Sequence, residues 1–502
     1  MKKIPIIFLC LFLLGSISGK AQVNSFKLGS FDALSDIGAP GIPGSVSYSE
    51  PAQIYSITAS GSNIWFGEDS FSMLWKKMNG DFILQTQIKF IGEGHEMHRK
   101  TGIMFRKTNS KSSPMVAVTV HAGDGLTSLQ FRKNEGDDVE EIKMDINGPT
   151  VLQLEKKGNT YIMSAASYGS IYQYAQVDGL ELGETLMAGI YVCSHNNEYA
   201  EEVNFSNTRI FKPAPETLVQ YEEYLGSLLE VVDIETGMRQ VLTHDKGSWQ
   251  APNWTPDGKD LMYNSNGKLY NFNLESYSST EVNTDFATKN NNDHVLSFDG
   301  SQLGISHHSA DDKGQSVIYA LPASGGVPQR VTDKSPSYLH GWSPDNKSLL
   351  YTAERNGDYD IYSISVKGGK EQQLTTVKGL DDGSEYSRDG KFIYFCSTRT
   401  GTMQVWRMDA DGGNQTQLTF DEMNDWFPHV SPDNKWLIFI SFPKEVPADK
   451  HPFYQHVYLR MIPVEGGEPK VITYLYGGQG SMNVPSWSPD SKKVAFVSNG
   501  LF

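Results

Sequence analysis

Short runs of alternating apolar and polar residues, broken by Gly, Asn, Asp and Ser, fill the chain from Gln22 to Phe211. IYSITASGSNIWF, DFILQTQIKFI, TGIMFRK, MVAVTVHAG, LTSLQFRK, TVLQLEKKG and LMAGIYVCS are of this kind. A period of two predicts half-buried antiparallel strands, and this many of them predicts a two-sheet β-sandwich. Further on the apolar runs are denser: DLMYNS, QLGISH, SLLYTA, FIYFCS, WLIFIS and KVAFVS, each placed just after a turn.

Those turns repeat. NWTPDGK, VLSFDGS, GWSPDNK, EYSRDGK, HVSPDNK and SWSPDSK place an Asp at 257, 299, 345, 389, 433 and 490, with spacings of 42, 46, 44, 44 and 57 residues. Pro presets φ, and Gly or Asn accepts positive φ, so each motif makes a tight turn. The interval is that of a four-stranded propeller blade. A second run and a Gly-containing hairpin usually follow, as in DIYSISVKGGKEQQLT and QVWRMDADGGNQTQLT. The sixth unit has only its first two strands, and LLEVVDIETGMRQVLT, Leu228 to Thr243, matches the missing second half. The expected fold is therefore all-β: an N-terminal β-sandwich, then a six-bladed β-propeller closed by its own N-terminal strands.

The W-[ST]-P-D-G-K turns followed by a Gly-Gly hairpin and Leu-Thr resemble the TolB-like propellers of bacterial envelopes, over Tyr221 to Phe502. That resemblance implies a non-catalytic envelope protein that binds a protein or glycan partner. In the first half, ASGSNIWF, DSFSMLWKKMNGDF and RKTGIMFRK resemble the concanavalin- or laminin-G-like sandwiches attached to carbohydrate-active proteins. This implies a glycan-binding accessory domain, with Trp65 and Trp75 either stacking on sugars or filling the core. The expected division is a signal peptide over 1–21, the sandwich over 22–211, a linker over 212–223 broken by Pro213 and Pro215, and the propeller over 224–502.

MKKIPIIFLCLFLLGSISGKAQ has a basic start, an apolar stretch and a small-residue cleavage site. It reads as a secretory signal, with an uncleaved anchor as the alternative. No small-residue lipobox precedes a later cysteine. The expected location is periplasmic or secreted, with no further membrane span. A net charge of -16 on 502 residues, without a basic cluster, excludes nucleic acid as a partner. Cys193 and Cys396 read as small buried hydrophobes in different domains.

The chemistry is expected at the mouth of the propeller channel, where blade-to-blade loops enter. Positions four or five before each turn Asp hold Asn253, His294, His340, Glu385, His429 and Ser486. Neighbouring loops add His307, His308, Arg355, Arg399, Trp426, and an insertion, SFPKEVPADKHPFYQH, with His451 and His456. In one reading His294, His340 and His429 hold a divalent metal (Mn, Zn or Ca), and Glu385, with His340 and His429, performs acid–base catalysis. Arg355 and Arg399 then clamp a substrate carboxylate, while Asn253, Trp426 and His451 contact the sugar. This arrangement is similar to that of propeller oligogalacturonate lyases and implies a metal-assisted lyase or hydrolase of an acidic oligosaccharide. In the other reading these side chains hydrogen-bond the strand entrances and channel water. His95 and His98, in GEGHEMHRK, form either a metal pair or a solvated loop.

Overall fold

The computed structural model describes residues 28–500, so the signal sequence expected over 1–21 lies outside the described residues. No helix among them is long and apolar enough to cross a membrane. All regular elements from Ala33 to Asn499 are strands.

The first fourteen strands, Ala33 to Phe211, form two seven-stranded antiparallel sheets. The inward positions of both sheets, among them Ile57, Leu84, Phe105, Val118, Leu154 and Phe205, make one continuous core. Strands Lys100–Arg106, Met115–His121 and Thr127–Arg132 are buried at every position, so the outer face of their sheet is covered as well. Trp65 and Trp75 lie half-buried against a second apolar cluster around Phe71, Met104 and Tyr191, and Trp75 Nε1 donates to Ser35 Oγ at 2.9 Å.

Five four-stranded sheets follow, with inner strands Trp249–Trp254, Asn290–Leu296, Ser337–Trp342, Asp381–Tyr386 and Asn424–Val430. They are blades one to five. In blade six, Lys493–Asn499 pairs with Ser227–Asp233, which pairs with Arg239–Asp245, and Trp487 bridges to Val494 on the inside. The strands just before blade one thus complete the last blade, and the ring closes through its own two ends.

The repeated turn owes its residue types to hydrogen bonds made identically six times. The Ser or Thr hydroxyl donates to the turn Asp, as Ser343 to Asp345 at 2.6 Å and Ser431 to Asp433 at 2.6 Å. The same carboxylate accepts the backbone N–H two residues on, and the hydroxyl accepts the N–H that opens the next strand. In two of the three motifs that carry Trp, the indole reaches the preceding blade: Trp342 Nε1 donates to Val295 O at 2.8 Å, and Trp487 Nε1 to His429 O at 2.9 Å, whereas Trp254 Nε1 makes no such bond. One motif therefore both closes a turn and spaces the blades.

The two-sheet unit rests on the outer strands of blades five and six. Tyr172 packs on Tyr474 with ring centroids 4.7 Å apart, Gln85 Nε2 donates to Tyr474 O at 3.2 Å, and Asn207 Nδ2 donates to Gly237 O at 2.8 Å. The segment between Phe211 and Ser227 has no strand, yet Ala214 N donates to Tyr476 Oη at 3.0 Å.

Candidate functional site

Each inner strand of blades one to five carries an irregularity: between Gln250 and Asn253, Asn290 and His294, Leu339 and Gly341, Asp382 and Glu385, and Trp426 and His429. A β-bulge adds a residue to one strand and re-aims the side chains beyond it. Three blades place a residue with positive φ at the same point, Ala251 (53°), Gly383 (63°) and Phe427 (54°). Counting back from the turn Asp by strict alternation therefore misassigns the channel positions. The open mouth is lined mainly by residues six to eight before the Asp, such as Asn292, Asp293, Tyr338, Asp382 and Asn483. Glu385, four before, faces a narrow cleft at the other end of the strands, beside Trp254, Trp342 and Trp487.

The mouth is a cavity of about 490 Å³, capped by Asp449, Lys450 and His451 of the long insertion. At its floor His340 is buried, with Nε2 2.8 Å from Asp382 Oδ1. That contact is close but not aligned as a hydrogen bond, and Nδ1 has no partner. Thr352 Oγ1 and Asn292 Nδ2 are likewise buried without partners. Burial alone would pull the His340 pKa down, but the Asp382 and Asp293 carboxylates outweigh it and hold the imidazole above its usual value. Burial pushes Asp293 up to about 6, against the pull of His340 and with the help of Asp382. Burial also works against the ionised form of Asp382, yet His340 keeps its pKa below the usual carboxylate range. Burial lowers the pKa of His451, whose Nδ1 bonds Gln479 Oε1 and whose ring meets Trp426 edge-on at 4.4 Å. The floor thus holds one imidazole between two unlike carboxyl groups, with polar atoms left open to a ligand.

The histidines expected to share an ion are not brought together. His294 is fully buried, with Nδ1 3.1 Å from Asn292 O and Nε2 3.4 Å from Met262 O, both backbone carbonyls. His429 Nδ1 lies 2.7 Å from Glu385 Oε2, away from the mouth. Among the described residues no three ligand atoms from His294, His340, His429 and Glu385 converge, so the set does not fit a shared metal. The expected carboxylate clamp is also committed elsewhere. Arg355 pairs with Glu371 at 2.6 Å, and Arg399 with Asp381 at 2.7 Å. Trp426 is fully buried, and Asn253 donates to Pro485 O at 2.5 Å while accepting from Leu296 N. His456 Nε2 sits 3.2 Å from Glu155 in the two-sheet unit, and Ser486 Oγ donates to Pro252 O. Of the expected residues, His340, His451 and His308 reach the mouth. Asp293 and Asp382 escaped the sequence reading, although the polar runs NNNDH and DDGSE in inner strands carried their signal. His95 stacks on Tyr199 at 4.0 Å, while His98 turns to Asp124.

Comparison with known proteins fits this geometry. The family model PD40, TolB beta propeller domain, matches residues 340–451. Uncharacterized protein Atu1656 of Agrobacterium fabrum is 43% identical over 274 residues, which span 54% of this chain and 92% of that one. The solved structure of a candidate TolB from Agrobacterium tumefaciens is 42% identical, covers 55% of this chain and 99% of its own, and superposes with a TM-score of 0.53. Tol-Pal system protein TolB of Bordetella pertussis is 28% identical over 147 residues, only 32% of that protein's length. Six blades closed by their own first strands, the repeated Ser-Pro-Asp turns and a well-covered relative lead to one assignment: the chain belongs to the TolB-like β-propeller family.

Proposed function

We propose that this protein is exported and binds the end of an oligosaccharide at the propeller mouth, with Asp293 moving a proton on the bound sugar. The observation that supports this most directly is the buried His340 between Asp293 and Asp382, surrounded by polar atoms that have no partner within the protein. Hydroxyl-rich ligands suit such a lining, because each hydroxyl both donates and accepts. Tyr338, Tyr359 and Phe427 on the same walls offer faces for sugar rings. A group with a pKa near 6 in a cleft is suited to acid–base work close to neutral pH.

The ligand class is a neutral rather than an acidic oligosaccharide, since Arg355 and Arg399 already hold Glu371 and Asp381. The proposal needs no channel metal. The two-sheet unit serves as a concanavalin- or laminin-G-like accessory domain that adds affinity for the same polymer. A second reading, non-catalytic binding of an envelope protein, draws on the Tol-Pal relative.

Titration calorimetry against a panel of neutral and uronate oligosaccharides tests the proposal, with reducing-end assays alongside. Binding should require His340, and His340→Ala should abolish it. Asp293→Asn should keep binding and lose turnover. Failure of every glycan to bind, or binding unaffected by His340→Ala, would overturn the proposal. Binding without turnover in the wild type would leave the protein a non-catalytic receptor.

A further inference from the structure

On the two-sheet unit, far in sequence from the propeller, His98, His121 and Asp124 place one ligand atom each within 4.8 Å of one another. His98 Nδ1 is 3.3 Å from Asp124 Oδ2, and His121 Nδ1 is 3.2 Å from Asp124 Oδ1. Ligands about 2.0–2.1 Å from a tetrahedral zinc ion stand roughly 3.3 Å apart, the edge of the tetrahedron. Each imidazole already stands at that distance from one oxygen of the Asp124 carboxylate, His98 from Oδ2 and His121 from Oδ1.

A further observation points to an ion. His121 is only 8% exposed, yet its Nε2 has no partner and its Nδ1 meets only the Asp124 carboxylate, outside hydrogen-bond alignment. A buried ring nitrogen without a partner is uncommon, because desolvation without compensation is costly. A second imidazole, His195, lies with its ring 5.6 Å from that of His98, on a backbone held at φ 60°. Positive φ in a residue other than Gly is uncommon and persists where surrounding structure enforces it.

We infer that His98, His121 and Asp124 form a binding site for a divalent transition metal of the zinc type. Two imidazoles and one carboxylate favour Zn²⁺, Co²⁺ or Ni²⁺ over Ca²⁺ or Mg²⁺, which take oxygen ligands. Three protein ligands leave a coordination position, and His98, about half exposed, places that position toward solvent, next to His195. The nearby charged groups are Lys100 and Glu96, with Asp69 and Glu141 acting on Lys100. Lys100 pairs directly across from His121 but turns its Nζ to Asn63 Oδ1 at 2.9 Å and Ile64 O. The ion would tie the loop carrying His98 to the end of the strand Met115–His121.

The test uses the full chain, stripped with chelator and titrated with Zn²⁺ by calorimetry and with Co²⁺ by visible absorption. The expected result is one saturable equivalent and the intense visible bands of four-coordinate Co²⁺. His98→Ala, at an exposed position, should fold normally and weaken uptake by about tenfold or more. Asp124→Asn should do the same, and His340→Ala at the propeller mouth should leave uptake unchanged. Absence of saturable uptake in excess ion would overturn the inference. So would uptake that survives both His98→Ala and Asp124→Asn, or that is lost in His340→Ala. Glycan binding at the mouth is measured separately, so either proposal can fail alone.

Discussion

Arg209, in the last strand of the two-sheet unit, donates through its NH2 nitrogen to Glu230 Oε2 at 2.7 Å, and Glu230 is completely buried. Glu230 lies in the strand that closes the propeller and also accepts from Arg239 at 2.5 Å and Ser498 at 2.5 Å. One carboxylate therefore joins both units and both ends of the ring. Burial opposes its charge, but Arg209 and Arg239 outweigh burial and bring it down to about 2.

Glu230→Gln should leave two guanidinium groups without a counter-charge and destabilise the protein by about 3–5 kcal/mol in chemical denaturation. Because the folded pKa is below the unfolded one, about 4.3, the wild-type contribution is present above that value and lost as pH falls toward 2. The variant's deficit should therefore shrink in acid, with wild type and variant converging as pH falls through about 2. A deficit that persisted unchanged there would contradict the linkage.

Asp293 has the opposite sign. Its folded pKa near 6 exceeds the unfolded value, so its contribution is most favourable below about pH 4 and is lost as pH rises through 6. Asp293→Asn should stabilise the protein at pH 8 by up to about 3 kcal/mol, and the gain should vanish by pH 4. Thermal melts of the two proteins across that range would read this directly.

Removing Leu228 to Thr243 should expose the free edge of Lys493–Asn499 and remove Glu230 along with it. Soluble aggregates or insolubility should follow, visible by size-exclusion chromatography. A monomer with an unchanged melting temperature would show that the ring does not depend on its closing strands.

Glu385 and His429 form a buried pair at the far end of the inner strands. Glu385→Gln should cost about 1–3 kcal/mol, as a buried acceptor is weakened, and leave ligand affinity at the mouth within error. Loss of binding without loss of stability would return these residues to the functional site.

The fold was legible because its signals are local and repeated. A turn needs a hydroxyl, a carboxylate and a residue tolerant of positive φ at fixed spacing, and Ser343–Asp345 and its five counterparts present these in any reading of the chain. Closure was legible too, since half a blade is missing at one end of the repeats and supplied at the other. The site was legible only in part. His340 was found because it lies on the repeat, but the bulges between Asp382 and Glu385 and between Trp426 and His429 turned neighbouring positions toward opposite ends of the channel. A bulge is a tertiary accommodation of strands crowding around an axis, with no signature in residue spacing. Arg355 and Arg399 carry the same charge whether they face a ligand or Glu371 and Asp381, so only the folded partners decided their role. His98 met His121 and Asp124 for the same reason: a loop and a strand end came together through sheet packing, which no local pattern encodes.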